Sequence, residues 1–256
     1  MRSLLAFIKK EFMEQARSGR LILLGILFIL LGIMNPAVAK LTPWLMEMLA
    51  DSMAESGLVF TAVDVNALDS WTQFFKNVPI GLIAFALLES GIFTREYQSG
   101  TLVLSLTKGL ERPKVVIAKA FVLAVLWTAF YWLCAGITYA YNAYFWDNAV
   151  ARSLPLSLTC WWVFGLWIAA LTVIFSTLSK TNVGVLAGTG GMVLACLLLG
   201  FLPKLGKCLP TLLTDGTSLI YGVEEAHAYT PPLIVAAVLT SACFALSVPL
   251  FNRNQL

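Results

Sequence analysis

The sequence contains few charged residues. Lys, Arg, Asp and Glu together make up 12% of the 256 residues, whereas apolar residues make up 59%. A soluble domain usually carries about 25% charged residues, so this deficit excludes a soluble globular protein with an ordinary surface. The basic residues also form no face with interleaved exposed aromatic residues, which argues against nucleic-acid binding. The composition therefore predicts a chain that lies largely in a membrane.

Residues that bind metals or catalyse reactions are also scarce. His227 is the only histidine, and the five cysteines include no Cys-x-x-Cys pair, so we expect no metal site of the usual ligand spacing. The closest approach to a G-x-x-x-x-G-K-[ST] phosphate loop runs from Gly200 to Cys208, with one residue too many and no Ser or Thr after Lys207. No protease motif is present either. We therefore expect no enzyme activity, no catalytic residue and no cofactor in this chain.

Six apolar runs have the length of membrane spans, which need roughly 20 mostly apolar residues. The predicted spans are residues 21–41, 71–93, 115–145, 156–178, 183–202 and 231–251. The fold class predicted from them is an all-α polytopic membrane protein with one transmembrane domain. In the fifth span, Gly184 and Gly188 lie four residues apart, a spacing that favours close helix packing in lipid.

Residues 3–17 precede the first span and have an amphipathic pattern. Their apolar residues recur every three or four positions, and Lys9, Lys10, Glu14 and Arg17 occupy much of the opposite face. This pattern predicts a helix in the membrane interface with its basic side toward anionic headgroups; a plain surface helix is the alternative. Ala37-Val38-Ala39 has the form of a signal-peptidase site. The acids in the long polar region before it argue against cleavage, so we expect the first span to be retained.

Two longer segments lie between spans on the side opposite to the N-terminus. Residues 42–70 predict a loop with one short helix along the outer membrane surface. Residues 203–230 are too apolar for a free loop, but their apolar stretches are too short to cross a membrane. Short re-entrant or interfacial helices are therefore expected there.

The basic residues predict the orientation. Twelve of the 17 Lys and Arg lie on the same side as the N-terminus when the six spans are counted. Because basic loops remain inside, we expect both termini in the cytoplasm and the protein in the cytoplasmic membrane.

Glu89 is an acid inside the second span. Such a group costs roughly 2.5–3.5 kcal/mol at mid-depth on insertion scales and is a functional candidate by default. It could reach the interface or pair with Arg95 or a neighbouring span. A role in proton relay or substrate binding is the alternative.

The polar stretch between the second and third spans has a distinctive pattern. Glu96 is followed by Gly100-Thr101, a leucine-rich turn, and then Arg112 and Lys119. This pattern resembles the first cytoplasmic loop of bacterial type-two ABC exporter permeases. The resemblance extends to the N-terminal helix, the six-span layout, the long loop between the fifth and sixth spans, and the segment Trp71 to Asn77, and so covers nearly the whole chain.

The resemblance implies the permease subunit of an ATP-driven exporter of an amphipathic or apolar substrate. Two permease subunits, identical or related, would form the pathway in the bilayer, and two ABC ATPase subunits would carry ATP and Mg²⁺. Residues 94–114 would form a coupling helix between permease and ATPase. The contacts implied for the ATPase are Glu96, Tyr97, Ser99, Gly100, Thr101, Ser105 and Lys108, and the residues implied to anchor the loop at the headgroups are Arg95, Arg112 and Lys119.

Other functions are compatible with the same spans. An ATP-independent membrane scaffold or sensor would use residues 94–114 as an ordinary connector. A secondary transporter would depend on Glu89, although the six spans contain no evident inverted repeat.

Overall fold

A computed structural model describes residues 2–54, 64–101, 107, 111–202 and 205–253, and contains no strand within those ranges. The helices there are α1 (Arg2–Arg17), α2 (Arg20–Ala54), α3 (Ala67–Glu89), α4 (Gly91–Ser99), α5 (Arg112–Phe145), α6 (Leu154–Leu178), α7 (Asn182–Gly200), α8 (Gly216–Tyr221) and α9 (Thr230–Arg253). Short 3-10 turns occupy Asn148–Val150, Gly206–Cys208, Pro210–Thr214 and Ala226–Tyr229.

Six helical segments of the described chain are long and apolar enough to cross a membrane. They are Arg20–Met48, Ala67–Ser99, Arg112–Phe145, Leu154–Leu178, Asn182–Gly200 and Ala226–Arg253. The predicted all-α class with six spans is therefore confirmed. The positions at which each span enters and leaves lipid remain predictions.

Helix α6 lies at the centre of the bundle and packs against α5, α7 and α9. The indole of Trp127 on α5 lies so close to Gly165 on α6 that a Cβ added at Gly165 would meet Trp127 Cε2 at 2.0 Å. Trp127 Nε1 donates a hydrogen bond to the carbonyl of Trp162 at 3.0 Å, and Tyr131 OH donates to that of Leu158 at 2.7 Å. Buried aromatic residues therefore attach α5 to α6 by both packing and hydrogen bonds.

The structure corrects the prediction for residues 42–70. A loop with a separate short helix was expected there, but α2 continues without a break to Ala54 and includes Pro36 and Pro43. Proline removes one backbone hydrogen bond, yet long membrane helices tolerate it because neighbouring groups satisfy the freed carbonyl. The carbonyl of Gly32, which Pro36 frees, accepts a hydrogen bond from Thr138 Oγ1 at 3.1 Å. Residues 55–63 of the predicted loop lie outside the described residues.

The segment after α7 folds back onto the bundle. In residues 205–230 it forms α8 and three 3-10 turns, and Ser157 Oγ on α6 donates to the Gly216 carbonyl at 2.9 Å. Tyr229 OH donates to the carbonyl of Asp215 at 3.0 Å. These bonds hold the short helices against the bundle end that carries Trp71 and Asn148, which we call the far end. The opposite end, at Arg2, Arg112 and Asn252, is called the terminal end.

Substituting Gly165 with alanine tests the contact between α5 and α6. The added methyl group would overlap the Trp127 indole, and overpacking of this kind lowers the free energy of unfolding by about 1–3 kcal/mol. Gly136→Ala is the matched control, because nothing lies within 4 Å of a Cβ at that helical position. Thermal melting of both variants in detergent should show a lower Tm for Gly165→Ala only. An equal Tm for the two variants would contradict the packing described.

Candidate functional site

Three helices bring five ionisable side chains together at the terminal end. Lys10, Glu11 and Glu14 come from α1, Glu96 comes from α4, and Lys119 comes from α5. We call this group the ionic cluster. Lys119 is 1% exposed, Glu11 is 3% exposed and Glu96 is 4% exposed. Charges this deeply buried require close partners, because removal from water costs several kcal/mol per ion.

Lys119 has three oxygen atoms around its ammonium group. Its Nζ lies 2.9 Å from Glu11 Oε2, 3.0 Å from Glu96 Oε2 and 2.8 Å from the carbonyl oxygen of Ile92. Two of these contacts are hydrogen bonds, to Glu11 Oε2 and to the Ile92 carbonyl, whereas the contact with Glu96 Oε2 is an ion pair. The Phe93 ring centroid lies 5.3 Å from the same atom, a distance at which the ring adds cation–π attraction.

Lys10 closes the cluster from the other side. Its Nζ lies 2.9 Å from Glu11 Oε1, and it also pairs with Glu96 Oε1. Glu11 and Glu96 therefore each offer one oxygen to Lys10 and the other to Lys119. The result is a closed ring of alternating charge, Lys10–Glu11–Lys119–Glu96, which we call the ionic ring.

Lys10 also pairs with Glu14, whose Oε2 lies 2.8 Å from its Nζ. Burial disfavours the lysine charge, but hydrogen bonds to Glu14 and Glu96 outweigh burial and raise the pKa of Lys10 above its usual value. Burial likewise opposes the charge of Glu14, but its hydrogen bond to Lys10 lowers the pKa of this carboxyl. Both groups therefore carry their charges at neutral pH.

The carboxylates of this cluster have a spacing that could also hold a cation. Glu11, Glu14 and Glu96 each place one oxygen within 4.8 Å of the others. The ammonium of Lys10 contacts all three residues. It supplies the positive charge that a metal ion would bring, so the three acids are accounted for as lysine partners.

Glu89 lies next to the cluster and is fully buried. Gln15 Nε2 donates to its Oε2 at 2.6 Å, and Arg20 Nη1 at the start of α2 lies 3.6 Å from the same oxygen. The structure thus places Glu89 against a neighbouring span. Arg95, which the sequence offered as another partner, is exposed and lies along Gly91, and its charge attracts Glu89 less strongly than that of Arg20 does.

The structure separates the residues predicted for the coupling loop into two groups. Arg95, Ser99 and Thr101 are exposed at the end of α4, where Gly100 adopts φ +69° and ends the helix. Ser99 and Thr101 share a hydrogen bond of 2.8 Å between their hydroxyl groups. Glu96, by contrast, points inward to the ionic ring. Tyr97 is half-buried, with its ring stacked on that of Phe93, while Ser105 and Lys108 lie outside the described residues.

The role expected for Lys119 needs correction. Lys119 was expected at the lipid headgroups but is buried in the ionic ring, because Glu11 and Glu96 compensate its charge inside the protein. Arg112 was also expected at the headgroups, and that role stays a prediction. Its Nη1 donates to the Asn252 carbonyl at 3.0 Å, and so it binds the carbonyl end of α9, where a positive charge is favourable.

Sequence reasoning missed the ionic ring. It assigned the charged residues of α1 to the membrane surface, whereas the buried face of α1 contains Phe7, Glu11 and Gln15 at intervals of four residues. That interval was a usable signal, since one helix face then carries two polar groups in line with an aromatic residue. Lys119, a lone charge among apolar residues at the start of α5, was the second signal.

An apolar groove of about 730 Å³ lies between α3, α6 and α7. Its lining includes Phe75 and Leu87 of α3, Phe164 of α6 and Leu194 of α7. Thr189 also lines the groove, and its Oγ1 is buried without a hydrogen-bond partner. The groove is therefore a largely apolar site whose lining includes the Thr189 hydroxyl group, and Glu89 is not among its lining residues.

Replacing Glu11 with glutamine tests how much the ionic ring contributes to the free energy of unfolding. Removing one partner of a buried pair destabilises by about 3–5 kcal/mol, because a buried charge is left uncompensated. Glu111→Gln is the control, since Glu111 pairs at 2.5 Å with Lys114 in an exposed position, and such pairs contribute about 1 kcal/mol or less. Thermal melting should show a large decrease in Tm for Glu11→Gln and a small decrease for Glu111→Gln. Equal losses would show that the ring does not stabilise the bundle.

Comparison with known proteins assigns the family. Residues 5–251, from α1 to the last turn of α9, match the family model described as ABC-2 family transporter protein. No curated protein matches the chain, and no solved structure does. The match confirms the resemblance to type-two ABC permeases. With six apolar helices and a family match over nearly its whole length, the chain belongs to the ABC-2 transporter family and is a multi-pass membrane component of a transport system.

Proposed function

We propose that this chain is the permease subunit of an ATP-driven exporter, and that a separate ATPase subunit docks on residues 94–114. The observation that carries the proposal is the arrangement of α4. This short helix exposes Arg95, Gln98 and Ser99 at the terminal end, while its other face is fixed to the bundle. A helix with one free face and one anchored face suits the transfer of rigid-body motion.

The contacts of α4 support a route from this docking surface to the groove. Thr94 Oγ1 on α4 donates a hydrogen bond to Asn182 Oδ1, at the first residue of α7. Helix α4 also follows α3 directly, with Ser90 between them. Because α3 and α7 both line the groove, a displacement of α4 would shift two of its walls.

An exporter built from this chain would need partner subunits for ATP binding and for the transport pathway. It has no phosphate-loop motif, so ATP and Mg²⁺ would bind to the ATPase, present in two copies. A second permease subunit, identical or related, would complete the pathway. The excess of basic residues at the terminal end would place the docking surface and both chain termini in the cytoplasm.

The groove supports an amphipathic or apolar substrate. Its walls are mostly aliphatic and aromatic, and ligand sites of several hundred Å³ with a few polar groups are typical of small-molecule binding. Thr189 Oγ1 would pair with a polar group of the substrate. Export rather than import would fit a groove that an apolar molecule enters from the bilayer.

Reversing the charge on the exposed face of α4 tests the docking proposal. Arg95→Glu should lower co-purification of the ATPase by roughly tenfold, which corresponds to about 1.4 kcal/mol of binding. Lys207→Glu is the control, since Lys207 is exposed at the far end and carries the same charge. The bound ATPase is measured by quantitative immunoblotting after purification of the permease. Unchanged recovery for Arg95→Glu, or an equal fall for Lys207→Glu, would contradict the proposed docking surface.

Filling the groove tests the substrate class. Gly190 lines the groove and has open space at its Cβ position, so Gly190→Leu should reduce the affinity for a fluorescent fatty-acyl probe several-fold. Gly191→Leu provides the comparison, because Gly191 also has open space but is not part of the lining. Fluorescence titration of both variants in nanodiscs measures the affinities. Equal affinities would mean that the groove does not bind the probe.

A further inference from the structure

The ionic ring joins three helices that are distant in sequence. Lys10 and Glu11 lie on α1, Glu96 lies on α4, and Lys119 lies on α5. Each member contacts two others, so α1 and α4 are connected both through Lys10 and through Lys119. The covalent path of the chain from one span to the next does not require these ion pairs.

Because Lys119 is buried, separating α4 from α1 would be energetically costly. If α4 moved away from α1, the ammonium of Lys119, which is 1% exposed in this structure, would lose its ion pair with either Glu11 or Glu96. Motion of α4 alone is therefore unfavourable. Motion of α4 together with α1 and α5 keeps every ion pair intact.

We propose that Lys119 is a positioning residue that makes α1, α4 and α5 move as one body when the ATPase acts on α4. This inference rests on the proposed function, because it assigns a mechanical role to the docking helix named there. It also gives α1 a role beyond that of an interfacial helix: α1 is carried with the docking surface through Lys10 and Glu11. A displacement of α4 then moves α5 as well as α3 and α7, which line the groove.

The exposed pair Glu111–Lys114 provides a matched comparison. It also lies at the start of α5, with Nζ 2.5 Å from Glu111 Oε1, but its two members are three residues apart and connect no second helix. Loss of this pair removes an ion pair without separating any helices. Lys114→Met is therefore the control for Lys119→Met.

The first experiment needs only the permease. A spin label replaces Leu5, which is exposed on α1, in a chain whose five cysteines have been changed to alanine. Glu96→Gln changes α4 and keeps the side-chain shape, yet it should increase the mobility of the label on α1 at least twofold. Lys119→Met should do the same, Lys119→Arg should restore the rigid spectrum, and Lys114→Met should leave it unchanged. A rigid label in both Glu96→Gln and Lys119→Met would overturn the inference whichever partner the chain has.

The second experiment uses the complex with the co-purified ATPase. A bimane fluorophore at Leu133, which is exposed on α5, reports on the motion of that helix, and ATP should change its fluorescence in the parent complex. Lys119→Met should reduce this change about fivefold while the rate of ATP hydrolysis is retained, and Lys114→Met should not. A full ATP signal in Lys119→Met would overturn the inference. The absence of an ATP signal in the parent complex would instead count against the proposed function.

Discussion

The central constraint on this structure is a lysine ammonium enclosed in protein at the end of a membrane-embedded bundle. Lys119 is tolerable there only because two carboxylates and one carbonyl oxygen surround it. Those oxygens come from α1 and α4, so the charge balance of one side chain fixes the positions of two other helices. Helix α4 is thereby part of the bundle rather than a loop suspended below it.

The same constraint relates the exposed face of α4 to the groove. One face of α4 is held by Glu96 and Thr94, whereas the other presents Arg95 and Gln98 outward. The groove lies farther into the bundle, with walls on α3 and α7, and both helices connect to α4 by covalent or hydrogen-bonded links. In the proposed exporter, the docking surface and the substrate groove are therefore separate in space but share their helices.

The sequence predicted the helical class and the number of spans because hydrophobic length is a strong and local signal. It also predicted that the polar segment around Glu96 lies between the second and third spans, and that boundary stays a prediction. It could not predict that Glu11 and Lys119 would meet, because this contact joins residues far apart in the chain and depends on how α1 docks. It likewise predicted a loop with a separate short helix after residue 41, whereas α2 continues through Pro43 to Ala54. Charge on α1 was read as a surface signal, and tertiary contacts overrode it.

The proposed exporter requires that the ATPase binds to α4. A photo-reactive amino acid at Gln98, which is exposed on α4, and another at Lys207, exposed at the far end, provide the most direct measurement. Irradiation of intact cells should cross-link the ATPase to the chain labelled at Gln98 and not to the chain labelled at Lys207. Cross-linking from Lys207 with none from Gln98 would contradict the account.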